Sequence, residues 1–248
     1  MGSKRSRPKL AERAEERERS QVRDRFGVVL VLLMITVFFS ISAPNEPWAW
    51  LATTATLAAN LTVAMLASGA QTKLVLAGIG LAAAGLGVSI VVALTQVEVD
   101  ARRFLSVMSL LLTLIATGAI VRRVRLHAEI NRLTVLAAVC TYVLLGLSFA
   151  FAFECVGEFG SRPFFTAHEA GTRSDYTYFS FVTMATVGYG DLTPEGGLGR
   201  VLAVTEGLLG QIYLVTTVAA LVGNLGRTRT PLEEVDDGAP QRDEDGSE

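Results

Sequence analysis

The sequence predicts an all-α membrane protein with six transmembrane helices per chain and a short re-entrant helix between the fifth and the sixth. Three observations predict this class. The 248 residues are 50% hydrophobic and 19% charged, whereas roughly a quarter of a soluble domain is charged. The charges are concentrated in two segments, with nine Lys or Arg and five Asp or Glu in the first 26 residues, and eight acids and one arginine from Pro231 onward. Between them lie apolar runs near the length of roughly 20 residues that one crossing requires.

Six of these runs are candidate spans, and each is mostly apolar. They cover residues 26–43, 47–69, 73–95, 104–121, 133–153 and 198–225. Residues 1–25 are too long and too charged for the start of a cleavable signal, so we interpret them as a polar cytoplasmic segment. The acidic residues 227–248 have the composition of a disordered tail. Residues 26–121 then form a four-helix domain, 122–132 a cytoplasmic linker, and 133–226 a second domain.

Lysine and arginine in short loops predict the orientation. If the N-terminus is inside, 17 of the 22 basic residues are cytoplasmic and five are outside. Both termini are therefore predicted to be cytoplasmic in a multi-pass protein, and the short loops favour a bacterial plasma (inner) membrane. Arg122, Arg123 and Arg125 lie at the inner end of the fourth span, where they could bind anionic lipid.

Several classes of function lack support in the sequence. Cys140 and Cys155 lie on one predicted helix, roughly 22 Å apart at 1.5 Å per residue, so they cannot form a disulfide. His127 and His168 lack neighbours that would complete a metal site. Because no nucleophile–base set or phosphate-binding loop occurs, we predict no enzyme, and the basic residues report topology rather than nucleic-acid binding.

The segment between the last two spans contains a short helix that cannot cross a bilayer. Thr172 and Asp175 have the spacing of a capping box, and the apolar run "YTYFSFVTMA" follows. About 12 helical residues extend roughly 18 Å, which is about half of the hydrocarbon core. The chain must therefore enter the membrane and return on the same side.

The return path is "TVGYGD", and it is not helical. Such backbone is tolerated at membrane depth only where it is buried in protein or lines a water-filled path. Gly188 and Gly190 can adopt left-handed conformations. If right-handed and left-handed backbone conformations alternate along residues 186–189, successive carbonyl groups turn the same way. Four such strands would stack rings of carbonyl oxygens around a cation. The negative C-terminal end of the short helix also favours a cation.

The segment "TMATVGYGD" resembles the selectivity filter of tetrameric potassium channels, in which TVGYG is the standard sequence. The resemblance covers about residues 132–227. Six spans with this loop before the last one resemble the voltage-gated-like superfamily of prokaryotic type. The resemblance implies a homotetramer that conducts K⁺ passively, with K⁺ as the transported ion and no other cofactor.

The resemblance also implies roles for the filter and the short helix, here called the pore helix. Thr186 would contribute its hydroxyl and carbonyl to the innermost K⁺ site, and Val187, Gly188, Tyr189 and Gly190 would complete the strand. Asp191 would sit at the outer mouth and bond back to the pore helix. The residues expected to support the filter are Tyr178, Thr183, Asp191, Glu154 and Glu206. Related channels often have two tryptophans where this chain has Tyr178 and Phe179, and small bacterial channels often have a glutamate at Val182.

The sixth span carries the residues predicted for gating and the inner cavity. They are Gly210, Gln211, Leu214, Val218 and Val222. Gly210 is either a hinge or a site of close packing. Glu206 is an acid inside an apolar span, which is a functional candidate by default. It either lies behind the filter in place of the missing acid at Val182 or faces water near the outer end of the helix.

The fourth span should contain regularly spaced arginines if it senses voltage, but residues 104–121 have no charge. Steep gating needs several charges per subunit to cross the field. We therefore predict a potassium channel whose first four spans do not sense voltage, with the gating stimulus left open. Two alternatives remain, namely a weakly selective cation channel and a non-conducting membrane sensor or accessory subunit.

Overall fold

The structure, a computed structural model, describes residues 26–42, 47–68, 72–95, 99–126, 132–166 and 171–227. These ranges form seven helices. They are α1 Phe26–Ser42, α2 Pro47–Ser68, α3 Thr72–Thr95, α4 Val99–Leu126, α5 Arg132–Phe159, α6 Arg173–Met184 and α7 Gly197–Arg227. The predicted all-helical class is confirmed for this part of the chain. The leader, the acidic tail beyond Arg227, His127 and His168 lie outside the described residues.

Three of the helices are long and apolar enough to cross a membrane, namely the stretches Arg102–Arg122, Thr134–Phe159 and Gly197–Gly223. Three shorter apolar helices fall at the predicted first, second and third spans, at Phe26–Ser42, Leu51–Leu66 and Gly78–Val91. The chain is therefore a membrane protein with at least three candidate spans among the described residues. The count of six stays a prediction.

Two helices extend beyond the predicted bounds. The predicted linker began at Arg122, but α4 continues to Leu126. Basic residues in a last helical turn interact favourably with the negative end of the helix, which offsets their polarity. The fifth span was predicted to end at Phe153, but α5 continues to Phe159 and includes Glu154. Hydropathy ended the prediction at this acid, whereas the helix tolerates it because the side chain is paired, as described below.

The core of the four-helix domain continues into α5. Buried side chains from α1, α2 and α4 form one apolar cluster with residues of α5, including Phe26, Leu33, Leu61, Ile120 and Leu144. Hydroxyl and amide groups are also buried there, and Asn60 donates to Thr36 at 3.2 Å between α2 and α1. Cys140 and Cys155 are both free thiols, in agreement with their predicted spacing. The four-helix domain thus packs against α5 of the same chain mainly through α4.

The described buried side chains of α4 carry no charge. They are Leu105, Ser106, Ser109, Leu112, Thr113, Ala116 and Ile120. Near the N-terminal end of α4, Arg103 donates to the main-chain oxygen of Glu158 at 3.0 Å and lies 5.8 Å from the centre of the Phe159 ring. This arginine therefore links the ends of α4 and α5 rather than lying inside the bundle.

Helix α7 has few contacts within its own chain. It packs against α5 and α6 and does not touch α2, α3 or α4. Large apolar side chains are exposed on several sides of it, including Leu198, Val204, Leu209, Leu214 and Val218. In a membrane protein such a surface faces lipid or another subunit.

Candidate functional site

The pore helix α6 begins with the predicted capping box. The Thr172 hydroxyl accepts a bond from the Asp175 amide at 3.2 Å, and the Asp175 carboxylate accepts one from the Thr172 amide at 2.8 Å. The helix has 12 residues, as the sequence predicted. These two bonds satisfy amide groups that a helix start otherwise leaves without partners.

A buried ion pair joins the start of α6 to α5. Arg173, the first residue of α6, lies 3.2 Å from the carboxylate of Glu154, and its guanidinium lies 5.4 Å from the centre of the Phe151 ring. Glu154 was expected at the base of the pore loop, and that role stays a prediction, while the structure shows its contact with the first residue of α6. Arg173 was missed. A cation in the first helical turn is unfavourable for the helix dipole, and that feature could have indicated a nearby acid.

The strand 186–190 starts from the C-terminal end of α6. The Thr186 amide donates to the Thr183 oxygen at 2.9 Å, and the Val187 amide donates to the Val182 oxygen at 3.0 Å. The Gly188 amide also approaches the Val182 oxygen, at 3.4 Å. The first amide groups of the strand therefore donate to the end of the pore helix. The carbonyl groups of the strand are left for another partner.

The sign of the backbone φ angle alternates along this strand. Thr186, Gly188 and Gly190 have φ of 56°, 56° and 80°, and Thr186 is the only described non-glycine residue with positive φ. A β-branched residue in this region is an outlier that costs of order 1–3 kcal/mol and marks a constrained site. The strand is exposed in a single chain, with Val187 49% and Tyr189 71% accessible.

Tyr178 supports the outer end of the strand. Its hydroxyl donates to the Asp191 carboxylate at 2.9 Å, which is the hydrogen bond expected from the sequence. Its ring is also stacked on Tyr189, with centroids 6.5 Å apart and planes 5° apart. The residues that follow Asp191 are also held by a hydrogen bond, since the Thr166 amide donates to the Thr193 oxygen at 3.1 Å.

An aromatic cluster lies behind the pore helix. Phe153 of α5, Phe164 and Phe165 of the preceding loop, and Tyr176 and Phe179 of α6 are buried together. The rings of Phe153 and Phe179 meet edge to face at 5.0 Å. Phe179 donates no hydrogen bond, as predicted, so this side of α6 is held by ring packing. The sequence analysis did not predict this cluster.

The α7 residues Glu206, Gly210 and Gln211 all face the pore helix or the strand. Glu206 is fully buried and lies 2.5 Å from the Ser180 hydroxyl of α6, so the structure favours a position against α6 over one facing water. A Cβ at Gly210 would come within 2.7 Å of the Met184 side chain, which favours the packing interpretation over the hinge. The Gln211 amide donates to the Thr186 hydroxyl at 3.3 Å.

The remaining cavity candidates lie further along α7. Leu214, Val218 and Val222 are all exposed in the single chain. Thr183 contributes its main-chain oxygen to the Thr186 amide. Arg122 is exposed near the end of α4, whereas the side chains of Arg123 and Arg125 lie outside the described residues.

Comparison with known proteins supports the channel interpretation of this region. Residues 137–226 match a family model described as an ion channel. The chain is also 32% identical over 88 residues to the inward rectifier potassium channel Kirbac3.1 of Paramagnetospirillum magnetotacticum. This match covers 35% of the chain and 28% of the relative. The C-terminal region is thus similar to ion channels.

Proposed function

We propose that this protein is a homotetrameric potassium-selective channel of the bacterial plasma membrane, with K⁺ bound along Thr186, Val187, Gly188 and Tyr189. The alternating φ angles along residues 186–190 carry the proposal. Alternation of hand turns successive carbonyl groups to one side, and rings of such carbonyls can replace the hydration shell of K⁺. Gly190 ends the alternating strand.

One chain cannot form a complete ring of carbonyl oxygens, and this is the reason for proposing a tetramer. A single strand supplies one oxygen to each ring, so several copies must meet around an axis. The exposed strand and the exposed apolar faces of α7 are consistent with subunit contacts, and Leu214, Val218 and Val222 would line the inner cavity. Constrictions of such apolar side chains can close a pore by excluding water.

The full chain, purified and reconstituted in liposomes, tests this function. We expect K⁺ flux that stops at the K⁺ equilibrium potential, and a bi-ionic reversal potential that strongly favours K⁺ over Na⁺. A reversal potential near zero would instead support the weakly selective cation channel. Absence of flux from correctly assembled protein would support the non-conducting sensor or accessory subunit.

We further propose that the first four spans do not sense voltage, because the described buried positions of α4 are uncharged. Moving one charge through 100 mV supplies about 2.3 kcal/mol, and steep gating needs several such charges. We expect a shallow dependence of open probability on voltage in planar bilayers. A steep dependence would contradict this proposal. The arginines at 122, 123 and 125 are proposed to contact anionic lipid.

Replacing Tyr178 with phenylalanine removes the hydrogen bond to Asp191 but keeps the stacked ring. One lost bond costs about 0.5–1.5 kcal/mol per subunit, so we expect open bursts several-fold shorter with unchanged K⁺ selectivity. Single-channel recording measures the burst length. Tyr213→Phe is the control, because it loses a similar bond to the Ala138 oxygen away from the filter. Equal burst lengths in wild type and Tyr178→Phe would show that the bond does not support the filter.

Replacing Gln211 with leucine removes the amide that donates to Thr186. Thr186 has a strained backbone, so losing this bond of about 0.5–1.5 kcal/mol in each subunit loosens the innermost site. We expect the permeability of Na⁺ relative to K⁺ to rise several-fold in bi-ionic recordings. Ile212→Leu, at the neighbouring exposed position, should leave the ratio unchanged. An unchanged ratio in Gln211→Leu would exclude a role for the amide in selectivity.

A further inference from the structure

One buried hydroxyl joins three helices of the pore region. The Ser180 oxygen of α6 lies 2.7 Å from the main-chain oxygen of Gly146 in α5 and 2.5 Å from a carboxyl oxygen of Glu206 in α7. Ser180 and Glu206 are both 0% exposed. The contacts among Gly146, Ser180 and Glu206 therefore cross the C-terminal half of the pore helix.

The number of protons that Gly146, Ser180 and Glu206 can supply to these two contacts determines which group donates. A serine hydroxyl has one proton and can donate one hydrogen bond, although it can accept two. The Gly146 carbonyl has no proton to give, so the Ser180 proton lies between Ser180 and Gly146. The Ser180–Glu206 contact must then receive its proton from Glu206. Both short contacts are hydrogen bonds only if Glu206 is a neutral carboxylic acid.

The surroundings of Glu206 favour the same state. Its second carboxyl oxygen is buried without a hydrogen-bond partner, and its described contacts include no ion pair. The groups facing it from α5 and α6 are Tyr142, which is titratable and neutral at ordinary pH, and Ser180. An unpaired buried carboxylate costs several kcal/mol, whereas a neutral acid that donates to Ser180 avoids most of that cost.

The position of Ser180 connects this proton to the filter. Ser180 lies two residues before Val182, whose main-chain oxygen accepts from the Val187 amide. Four residues after Ser180, Met184 packs closely against Gly210 of α7. A shift of α6 relative to α7 would therefore displace the start of the strand 186–190.

We infer that Glu206 is a positioning residue that acts as a neutral hydrogen-bond donor, holding the pore helix through Ser180, and that loss of its proton breaks one of the two bonds by which Ser180 ties this helix to α5 and α7. The binding of one proton at this site is thus coupled to the geometry of the filter. The effect on conduction rests on the proposed channel function, whereas the protonation state of Glu206 does not.

Infrared spectroscopy of the full-length protein tests the protonation state directly. A carboxylic acid has a C=O stretching band that a carboxylate lacks. We expect Glu206→Gln to remove one such band from the spectrum of the protein at neutral pH. Glu195→Gln is the matched control, because Glu195 is exposed outside the helices and its replacement should remove no acid band. If Glu206→Gln removes a carboxylate band instead, the inference is overturned, whether or not the protein conducts.

Conduction at different pH values tests the positioning role. We expect wild-type K⁺ current to fall several-fold in alkaline solution, as Glu206 loses its proton. Glu206→Gln should fold and conduct, because its amide can still donate to Ser180, and its current should not fall. Glu206→Leu removes the donor and should have low current at every pH. An alkaline loss of current in Glu206→Gln equal to that of wild type would refute the role. No current in any variant would refute the channel function, while the infrared test would still apply.

Discussion

Alanine at position 188 will abolish potassium current in a protein that still folds and assembles. Gly188 has φ of +56°, where an L-residue pays roughly 1–2 kcal/mol. Apart from its two sequence neighbours, no atom of the described residues lies within 4 Å of a Cβ built there, so the cost is conformational rather than a clash with those residues. Four subunits would raise it to roughly 4–8 kcal/mol, which reduces the conducting state on the order of 1,000-fold or more.

Flux assays and size-exclusion chromatography together check this result. Gly196→Ala is the matched control, because Gly196 is also exposed with open space around its Cα, but it has no positive φ. We expect the control to conduct like wild type. Normal current in Gly188→Ala would mean that the left-handed conformation at this position is not required for permeation.

Glutamine at position 154 will strongly destabilise the pore region. The substitution removes the carboxylate from the buried pair that Arg173 forms at the positive end of α6. Breaking a buried pair in this way costs about 3–5 kcal/mol. Thermal unfolding of the purified protein should show a large decrease in melting temperature, and K⁺ flux should fall with the loss of folded protein.

A double variant distinguishes the stability lost when the pair is broken from the stability that the intact pair contributes. Glu154→Leu combined with Arg173→Met leaves no buried charge, and such replacements are often neutral or stabilising. We expect it to recover most of the lost stability. Arg162→Met, at an exposed position, should have little effect. If the double variant is as unstable as Glu154→Gln, the carboxylate and guanidinium contribute more than mutual neutralisation.

The sequence predicts the parts of the structure that depend on residues close together along the chain. Hydropathy located the helices because each apolar run is long enough to identify without knowledge of its neighbours. The capped pore helix was predictable because Thr172 and Asp175 interact with each other across one turn. The hydrogen bond from Tyr178 to Asp191 was expected from the filter resemblance, which fixes the relation between the pore helix and the strand that follows it.

The contacts between helices were not predictable in the same way. Arg173 reaches Glu154 and Gln211 reaches Thr186 because of how α5, α6 and α7 are rotated about their axes. A nearly uniform apolar helix gives no sequence signal for that rotation. For the same reason, the two interpretations of Gly210 could not be separated before Met184 was found beside it. Glu206 was notable as an intramembrane acid, but its partner Ser180 looked like an ordinary helix residue.

The exposed surface of α7 has a consequence for a cell that makes two versions of this chain. A chain that carries Gly188→Ala keeps this surface, so it should enter mixed assemblies with wild-type chains. If both chains are made equally and mix at random in a symmetric tetramer, about one channel in sixteen contains wild-type chains alone. Making this variant in a cell that also makes the normal chain should therefore suppress most of the potassium current of that cell.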